Sequence, residues 1–260
     1  LIYAENFSWS LTYQLMASLM ALNILVTVYI SSEKSNPDLA ILNYKHSLLE
    51  PTKDFLERFG LKIASILILI IATYRLTDIV MGPMANPFYI DMGYSLSEIG
   101  YVVKIVALVA TIIGVFIGGI FVKRLGLYKS LLIGAFLVML TNLSFSYAAI
   151  NEKNLVLLAS IVASDSLAAG IVGTVNITFL TSLVSSKYTG FQYALLTSLM
   201  AFLGKLFGGF SGVFVESFQN LYGFSYGWMS FYIFTSCLAI PSMLMIYFNK
   251  SIFMQTNANK

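Results

Sequence analysis

The sequence predicts an all-α polytopic membrane protein with seven transmembrane helices. Of its 260 residues, 58% are hydrophobic and 10% are charged. Crossing the roughly 30 Å hydrocarbon core of a bilayer takes about 20 mostly apolar residues. Seven stretches are of this kind, at residues 9–30, 62–83, 97–121, 130–150, 155–183, 191–214 and 227–248. The buried helices of a water-soluble protein are not expected to repeat seven times at this length.

The basic residues give these spans an orientation. Eleven of the 15 Lys and Arg residues lie in alternate connections or in the C-terminal tail, the opposite side carries only Lys153, and three lie within spans. The eleven are Lys34, Lys45, Lys53, Arg58, Lys62, Lys123, Arg124, Lys129, Lys187, Lys250 and Lys260. Because cytoplasmic connections carry the excess of Lys and Arg, we expect the N-terminus outside and the C-terminus in the cytoplasm. The net charge of +3 then reflects topology and does not indicate a nucleic-acid partner.

The spacing of the spans predicts two bundles, of which only the second is complete. One helix (1–30) is followed by a long cytoplasmic linker (31–61), six closely spaced spans (62–248) and a tail (249–260). This order is typical of a transporter cut before the last helix of its first half, and the residues from Leu1 onward do not read as a basic n-region. We therefore expect a fragment that lacks its upstream N-terminal helices. A seven-span receptor is the alternative, but it would not have a long linker after its first span.

Local patterns predict several helix boundaries. The linker should contain an amphipathic helix that starts near Pro51, places Phe55 and Phe59 on one face, and stops at Gly60. A capping box from Ser95 to Glu98 should begin the third span.

Prolines, glycines and the single cysteine give expectations about the span interiors. Pro83 and Pro87 should break or kink the second span, and Pro241 should bend the last one. Glycines spaced four residues apart, at 114 and 118 and at 204, 208 and 212, should let helices approach closely. Cys237 is expected in the core.

Five ionisable side chains fall inside the predicted spans. They are Arg75, Asp78, Lys104, Asp165 and Lys205. A charge at the bilayer centre costs at least about 2.5–3.5 kcal/mol on insertion scales, so such groups face protein or a wet cavity. Arg75 and Asp78 stand three residues apart and project from one helix face. For this pair, a structural ion pair and a functional role both remain open.

The other three buried charges favour a cavity. Lys104, Asp165 and Lys205 have no oppositely charged side chain within one helical turn. Asn176 follows Asp165 by eleven residues, about three turns, and shares its side of the helix. Three cations against two carboxylates suit an anionic solute, and a buried carboxylate can carry a proton.

Enzymatic chemistry is not expected. The sequence contains no Walker motif, and its single histidine and single cysteine provide no metal-ligand spacing. We therefore predict neither a cofactor nor a metal.

The connection between the third and fourth spans resembles a known signature. Residues 119–129 read GIFVKRLGLYK, which is similar to the cytoplasmic G-x-x-x-D-R-x-G-R-R signature of the major facilitator superfamily. Gly119, Arg124 and Gly126 match it and are the expected gating loop. Lys123 stands in place of the aspartate, so the role of that aspartate does not carry over.

Longer segments resemble AmpG-type muropeptide permeases of the same superfamily. The matching text is ATYRLTD at 72–78, PFYIDMGYSLSEIG at 87–100, residues 118–128, and QYALL at 192–196. Their order corresponds to the second half of that family, with 1–30 as the last helix of the first half and 62–248 as the C-terminal six-helix bundle.

The resemblance implies proton-driven import of anionic anhydro-muropeptides, for cell-wall recycling, across a bacterial inner membrane. In that setting the N-terminus of this chain is periplasmic. Arg75, Lys104, Asn176 and Lys205 become candidate solute-binding residues, Asp165 the first candidate proton carrier and Asp78 the second. The solute could instead be another anion, such as an acyl-coenzyme A, and a truncated, non-transporting remnant is the further alternative.

Overall fold

The computed structural model describes residues 8–30 and 44–253, and every regular element in those ranges is helical. The all-α prediction is therefore confirmed for this part of the chain. In chain order the helices are α1 (Trp9–Ile30), α2 (Tyr44–Tyr74), α3 (Leu76–Asp91), α4 (Leu96–Ile99), a π-helix (Gly100–Val106), α5 (Ala107–Ala149), α6 (Leu155–Leu183), α7 (Thr189–Gly208), α8 (Ser211–Tyr222), α9 (Phe224–Cys237) and α10 (Ala239–Phe248).

Six continuous helical stretches in the described ranges are long and apolar enough to cross a membrane. One of them, Leu96–Ala149, has 54 residues and would extend about 80 Å if straight. It is broken at Gly126, whose φ of 78° and ψ of 164° are not helical. Gly118 and Gly134, eight residues to either side, both pack against residues 171–172 of α6. The chain therefore turns back at Gly126, which reconciles six stretches with seven predicted spans.

The linker helix begins earlier than its sequence suggested. It starts at Tyr44, so Pro51 lies inside α2 and not in its first turn. Pro51 and Phe55 are buried against the bundle. This packing stabilises the helix where Pro51 interrupts its backbone hydrogen bonds. Gly60 ends the linker portion as expected, with φ 71° and ψ 155°.

The second span is interrupted at Arg75 and not at its prolines. Arg75 separates α2 from α3 with φ −105° and ψ 8°, while α3 continues through Pro83 and Pro87 to Asp91. Pro83 has no N–H for the carbonyl of Ile79. That carbonyl lies against Gly208 of α7, where a Cβ would be only 2.9 Å from the oxygen. The expected break at the prolines was therefore wrong, and a kink there stays a prediction.

The last two spans also differ from their predicted outlines. The sixth runs from Thr189 to Tyr222, beyond its predicted end at residue 214, and so includes the whole of α8. The seventh is interrupted at Leu238, three residues before Pro241, consistent with the expected bend. Cys237 is exposed and not in the core, because the neighbouring Thr235 and Ser236 take the buried side of α9.

Close contacts are confirmed at four of the five predicted glycines, since a Cβ on Gly212 would meet only Met84, at an ordinary 3.9 Å. The capping box is also confirmed. A Cβ on Gly118 would lie 2.9 Å from the carbonyl oxygen of Ile171, and Gly204 packs directly on Ile79. Ser95 accepts a hydrogen bond from the Glu98 amide at 3.2 Å and its own amide donates to Glu98 Oε2 at 2.7 Å. By contrast, no residue in the most apolar stretch of α1 is buried against the other described helices.

Candidate functional site

The interruption of the second span carries an ion pair. Arg75 Nη2 lies 3.2 Å from Asp78 Oδ2, and the two side chains are 31% and 19% exposed. Arg75 Nε is buried without a hydrogen-bond partner. The pair expected from the three-residue spacing is thus present, but the guanidinium retains donors that Asp78 does not use.

A second polar group surrounds Asp165 on α6. Thr141 of α5 donates from Oγ1 to Asp165 Oδ1 at 3.0 Å. The next residue, Asn142, is fully buried and accepts from Thr235 Oγ1 of α9 at 2.8 Å. Polar contacts therefore join α5 to α6 at Asp165 and α5 to α9 at the neighbouring Asn142.

The two carboxylates belong to one electrostatic neighbourhood. Asp165 is half-buried and interacts unfavourably with Asp78. Tyr89 and Tyr232, both buried, also lie within electrostatic range of Asp165. Asp78 thus pairs with Arg75 and lies within electrostatic range of Asp165.

Lys104 and Lys205 lie apart from that group and are exposed. Lys104 is in the π-helix Gly100–Val106, a rare geometry that often marks functional sites. Lys205 is sixteen residues after Thr189 and seventeen before Tyr222, at the middle of the sixth span. Neither lysine forms an ion pair with any residue in the described ranges. Both therefore present a free ammonium to the space outside the bundle.

Asn176 lies between helices and not on an open surface. Its side chain is 3% exposed, and Nδ2 donates to Met200 Sδ of α7 at 3.4 Å. Its Oδ1 is buried without a partner. The position suits a contact between α6 and α7, and solute binding by Asn176 stays a prediction.

The expected gating loop lies at the turn within α5. Gly126 supplies the backbone reversal, and Ser130 Oγ donates back to its carbonyl at 2.8 Å. Gly119 and Arg124 are exposed, and a Cβ on Gly119 would meet no atom within 4 Å. No cluster of His, Cys, Asp or Glu side chains that could hold a metal occurs among residues 8–30 and 44–253.

The sequence did not indicate how strongly the linker helix is held. Gln192, which is 1% exposed, accepts from Arg58 Nη2 at 2.9 Å and donates to Asp54 Oδ2 at 2.9 Å and to the Pro51 carbonyl at 2.8 Å. The four-residue spacing of Asp54 and Arg58 was a visible signal, but their shared partner is 134 residues beyond Arg58.

The connection from α6 to α7 also binds the linker helix. Tyr188 donates to Glu50 Oε2 at 3.1 Å. A hydrogen bond with Tyr188 raises the pKa of Lys187 above its ordinary value, so this lysine stays positively charged at the surface.

Known proteins resemble this chain over most of its length. AmpG 1 of Rickettsia prowazekii is 35% identical over 182 residues, which are 70% of this chain and 39% of that protein. AmpG 4 of Rickettsia felis is 28% identical over 251 residues, 94% of this chain and 58% of its own length. The anhydromuropeptide permease of Escherichia coli is 28% identical over 253 residues, 96% of this chain and 49% of the permease.

These matches confirm the resemblance to AmpG-type permeases. The chain spans about half the length of the curated relatives it matches. A sequence profile of the Major Facilitator Superfamily matches residues 1–209. This match covers more than half of the chain, and the chain accordingly belongs to the major facilitator superfamily.

Proposed function

We propose that this chain forms part of a proton-coupled importer of anionic anhydro-muropeptides in a bacterial inner membrane. The observation that carries the proposal is the Arg75–Asp78 pair beside Asp165 inside an apolar bundle. Charged groups at this depth are costly and are retained where they bind solutes or relay protons. The name of the Escherichia coli relative supplies the solute class.

The proposed architecture is two bundles around a midplane cavity, as in other transporters of this kind. Residues 62–248 are the second bundle, 1–30 the last helix of the first, 31–61 a cytoplasmic linker and 249–260 a cytoplasmic tail. The chain's N-terminus is then periplasmic. The exposed α1 and the exposed Lys104 and Lys205 support this arrangement, since both lysines would face the cavity between bundles.

Each candidate residue has a role in this proposal. Arg75 binds a solute carboxylate through its planar fork, and Lys104 and Lys205 add point charges. Asp165 carries the proton, with Asp78 as its partner, and Asn176 is the remaining solute-binding candidate. The gating loop of Gly119, Arg124 and Gly126 closes the cytoplasmic side. No enzymatic step is assigned.

The test is uptake of a labelled anhydro-muropeptide by bacteria that lack their own permease and produce this protein as its native gene encodes it. We expect accumulation that a protonophore abolishes. Lys104→Gln and Lys205→Gln should each reduce uptake by roughly 10-fold or more, the loss expected for one charge-assisted contact. Lys62→Gln, an exposed lysine outside the site, is the matched control.

The same cells separate the alternatives. Uptake of a labelled acyl-coenzyme A, without muropeptide uptake, would show that the transported solute is an acyl-coenzyme A. No uptake of either, from a protein that reaches the membrane, would favour a non-transporting remnant.

A further inference from the structure

The charge balance inside the bundle suggests how solute and proton binding depend on each other. Arg75 contributes one positive charge, while Asp78 and Asp165 contribute one negative charge each when ionised. The group is therefore negative by one charge before a proton binds and neutral afterwards. An anion approaching Arg75 is repelled in the first state and not in the second.

We propose that an anionic solute competes with Asp78 for Arg75, and that a proton on Asp165 makes this exchange favourable. The inference rests on the proposed function and supplies its coupling step. A solute carboxylate that takes the guanidinium leaves Asp78 without its cation and beside a second carboxylate. The proton, arriving from the periplasmic side, forms an O–H bond on Asp165 and removes one negative charge. Solute and proton thus bind more tightly together than separately, and linkage makes this dependence reciprocal.

Arg75 is placed to change partners. It uses Nη2 for Asp78 and leaves Nε buried without a partner, so donors remain for a second carboxylate. Its backbone stands at the interruption between α2 and α3. The side chain and the adjoining helix end can therefore shift without breaking a continuous helix.

Thr141 acts as a positioning residue for the proton site. Its hydroxyl donates to Asp165 Oδ1, and it precedes Asn142, which Thr235 fixes to α9. The Tyr232 hydroxyl is buried without a partner and lies within electrostatic range of Asp165. It is therefore an unsatisfied hydroxyl in the electrostatic neighbourhood of the carboxylate. Within residues 8–30 and 44–253, the charged and titratable groups that interact with Asp165 or Asp78 are Tyr74, Arg75, Tyr89 and Tyr232.

The test measures the affinity of the purified protein, as its native gene encodes it, for a labelled anhydro-muropeptide from about pH 8 to about pH 6. One coupled proton limits the change in Kd to about tenfold per pH unit, and the wild type should approach this slope. Asp165→Asn should remove the slope. Asp78→Asn should bind tightly even at the higher pH, because Arg75 has lost its competing carboxylate. Glu152→Gln, in an exposed connection, should keep the wild-type slope.

A pH-independent affinity in the wild type, or an unchanged slope in Asp165→Asn, would overturn the inference. An absence of muropeptide binding at every pH would contradict the proposed function instead. Infrared titration of the solute-free protein then tests separately whether Asp165 is the proton site. A protonated-carboxyl band that disappears in Asp165→Asn, changes its midpoint pH in Thr141→Val and keeps it in Thr141→Ser supports the assignment. A band that none of these substitutions alters overturns it.

Discussion

Arg58 Nη2 donates to Gln192 Oε1 at 2.9 Å and joins the linker helix to the first turn of α7. The same oxygen accepts from the Ser185 amide at 2.7 Å. Arg58 also reaches the Leu183 carbonyl at 3.1 Å, at the end of α6. The linker helix is thus fixed to the connection between two spans, so a movement of that connection would carry the linker helix with it.

Removing this contact should destabilise the bundle. Arg58→Ala removes the donor to the Leu183 carbonyl and the cation paired with Asp54, and it leaves Gln192 Oε1 with the Ser185 amide alone. We expect a cost of about 1–3 kcal/mol. Denaturant unfolding in detergent measures it. Lys53→Ala is the control, since Lys53 is 75% exposed and pairs with exposed Glu57, a contact of small value. Equal stabilities of the two variants would show that the Gln192 contact contributes nothing.

Two adjacent glycines should respond differently to alanine. A Cβ on Gly118 would lie 2.9 Å from the carbonyl oxygen of Ile171, whereas one on Gly119 would meet no atom within 4 Å. Gly118→Ala should therefore force α5 and α6 apart and lower stability by about 1–3 kcal/mol. Gly119→Ala should leave the unfolding midpoint nearly unchanged, and a larger effect at 119 than at 118 would contradict the helix packing.

The turn at Gly126 should not tolerate a side chain. Its φ of 78° with ψ of 164° is a combination essentially limited to glycine, and alanine there costs about 1–3 kcal/mol. Gly190→Ala in α7, where φ is helical and the space is open, is the control. Full thermal stability of Gly126→Ala would mean that the chain does not turn back at this residue.

The proposed orientation can be tested by labelling single cysteines in intact cells. In a Cys237→Ser background, Glu152→Cys should react with a membrane-impermeant thiol reagent, and Lys187→Cys should react only after the membrane is permeabilised. Both native side chains are exposed, so accessibility of the site is not limiting. Labelling of position 187 alone in intact cells would show that the orientation is the reverse of the one proposed.

Local rules in the sequence predicted much of the fold. Hydropathy located the spans, the Ser95–Glu98 capping box set a helix start, and Gly60 ended the linker helix, because each depends on residues close in sequence. The extension of the sixth span to Tyr222 was missed, since Glu216, Gln219 and Asn220 lower its hydropathy. The Ile79 carbonyl, which Pro83 leaves without its helical donor, packs against Gly208, more than a hundred residues away, and local sequence gives no sign of this contact.

The site was predictable in part for the same reason. The Arg75–Asp78 pair follows from three-residue spacing, which any helix enforces. The contact of Thr141 with Asp165 and the contact of Arg58 with Gln192 each join different helices. Sequence periodicity assigns such residues to a face, but only the packing of the helices determines which faces meet.

The most direct test of the account is transport into liposomes by the purified protein under an imposed pH gradient. With the outside acidic, a labelled anhydro-muropeptide should accumulate above its external concentration and then leak out as the gradient decays. Asp165→Asn should still exchange solute across the membrane but should not accumulate it. Wild-type entry that stops at equal concentrations, with or without the gradient, would contradict proton-coupled import.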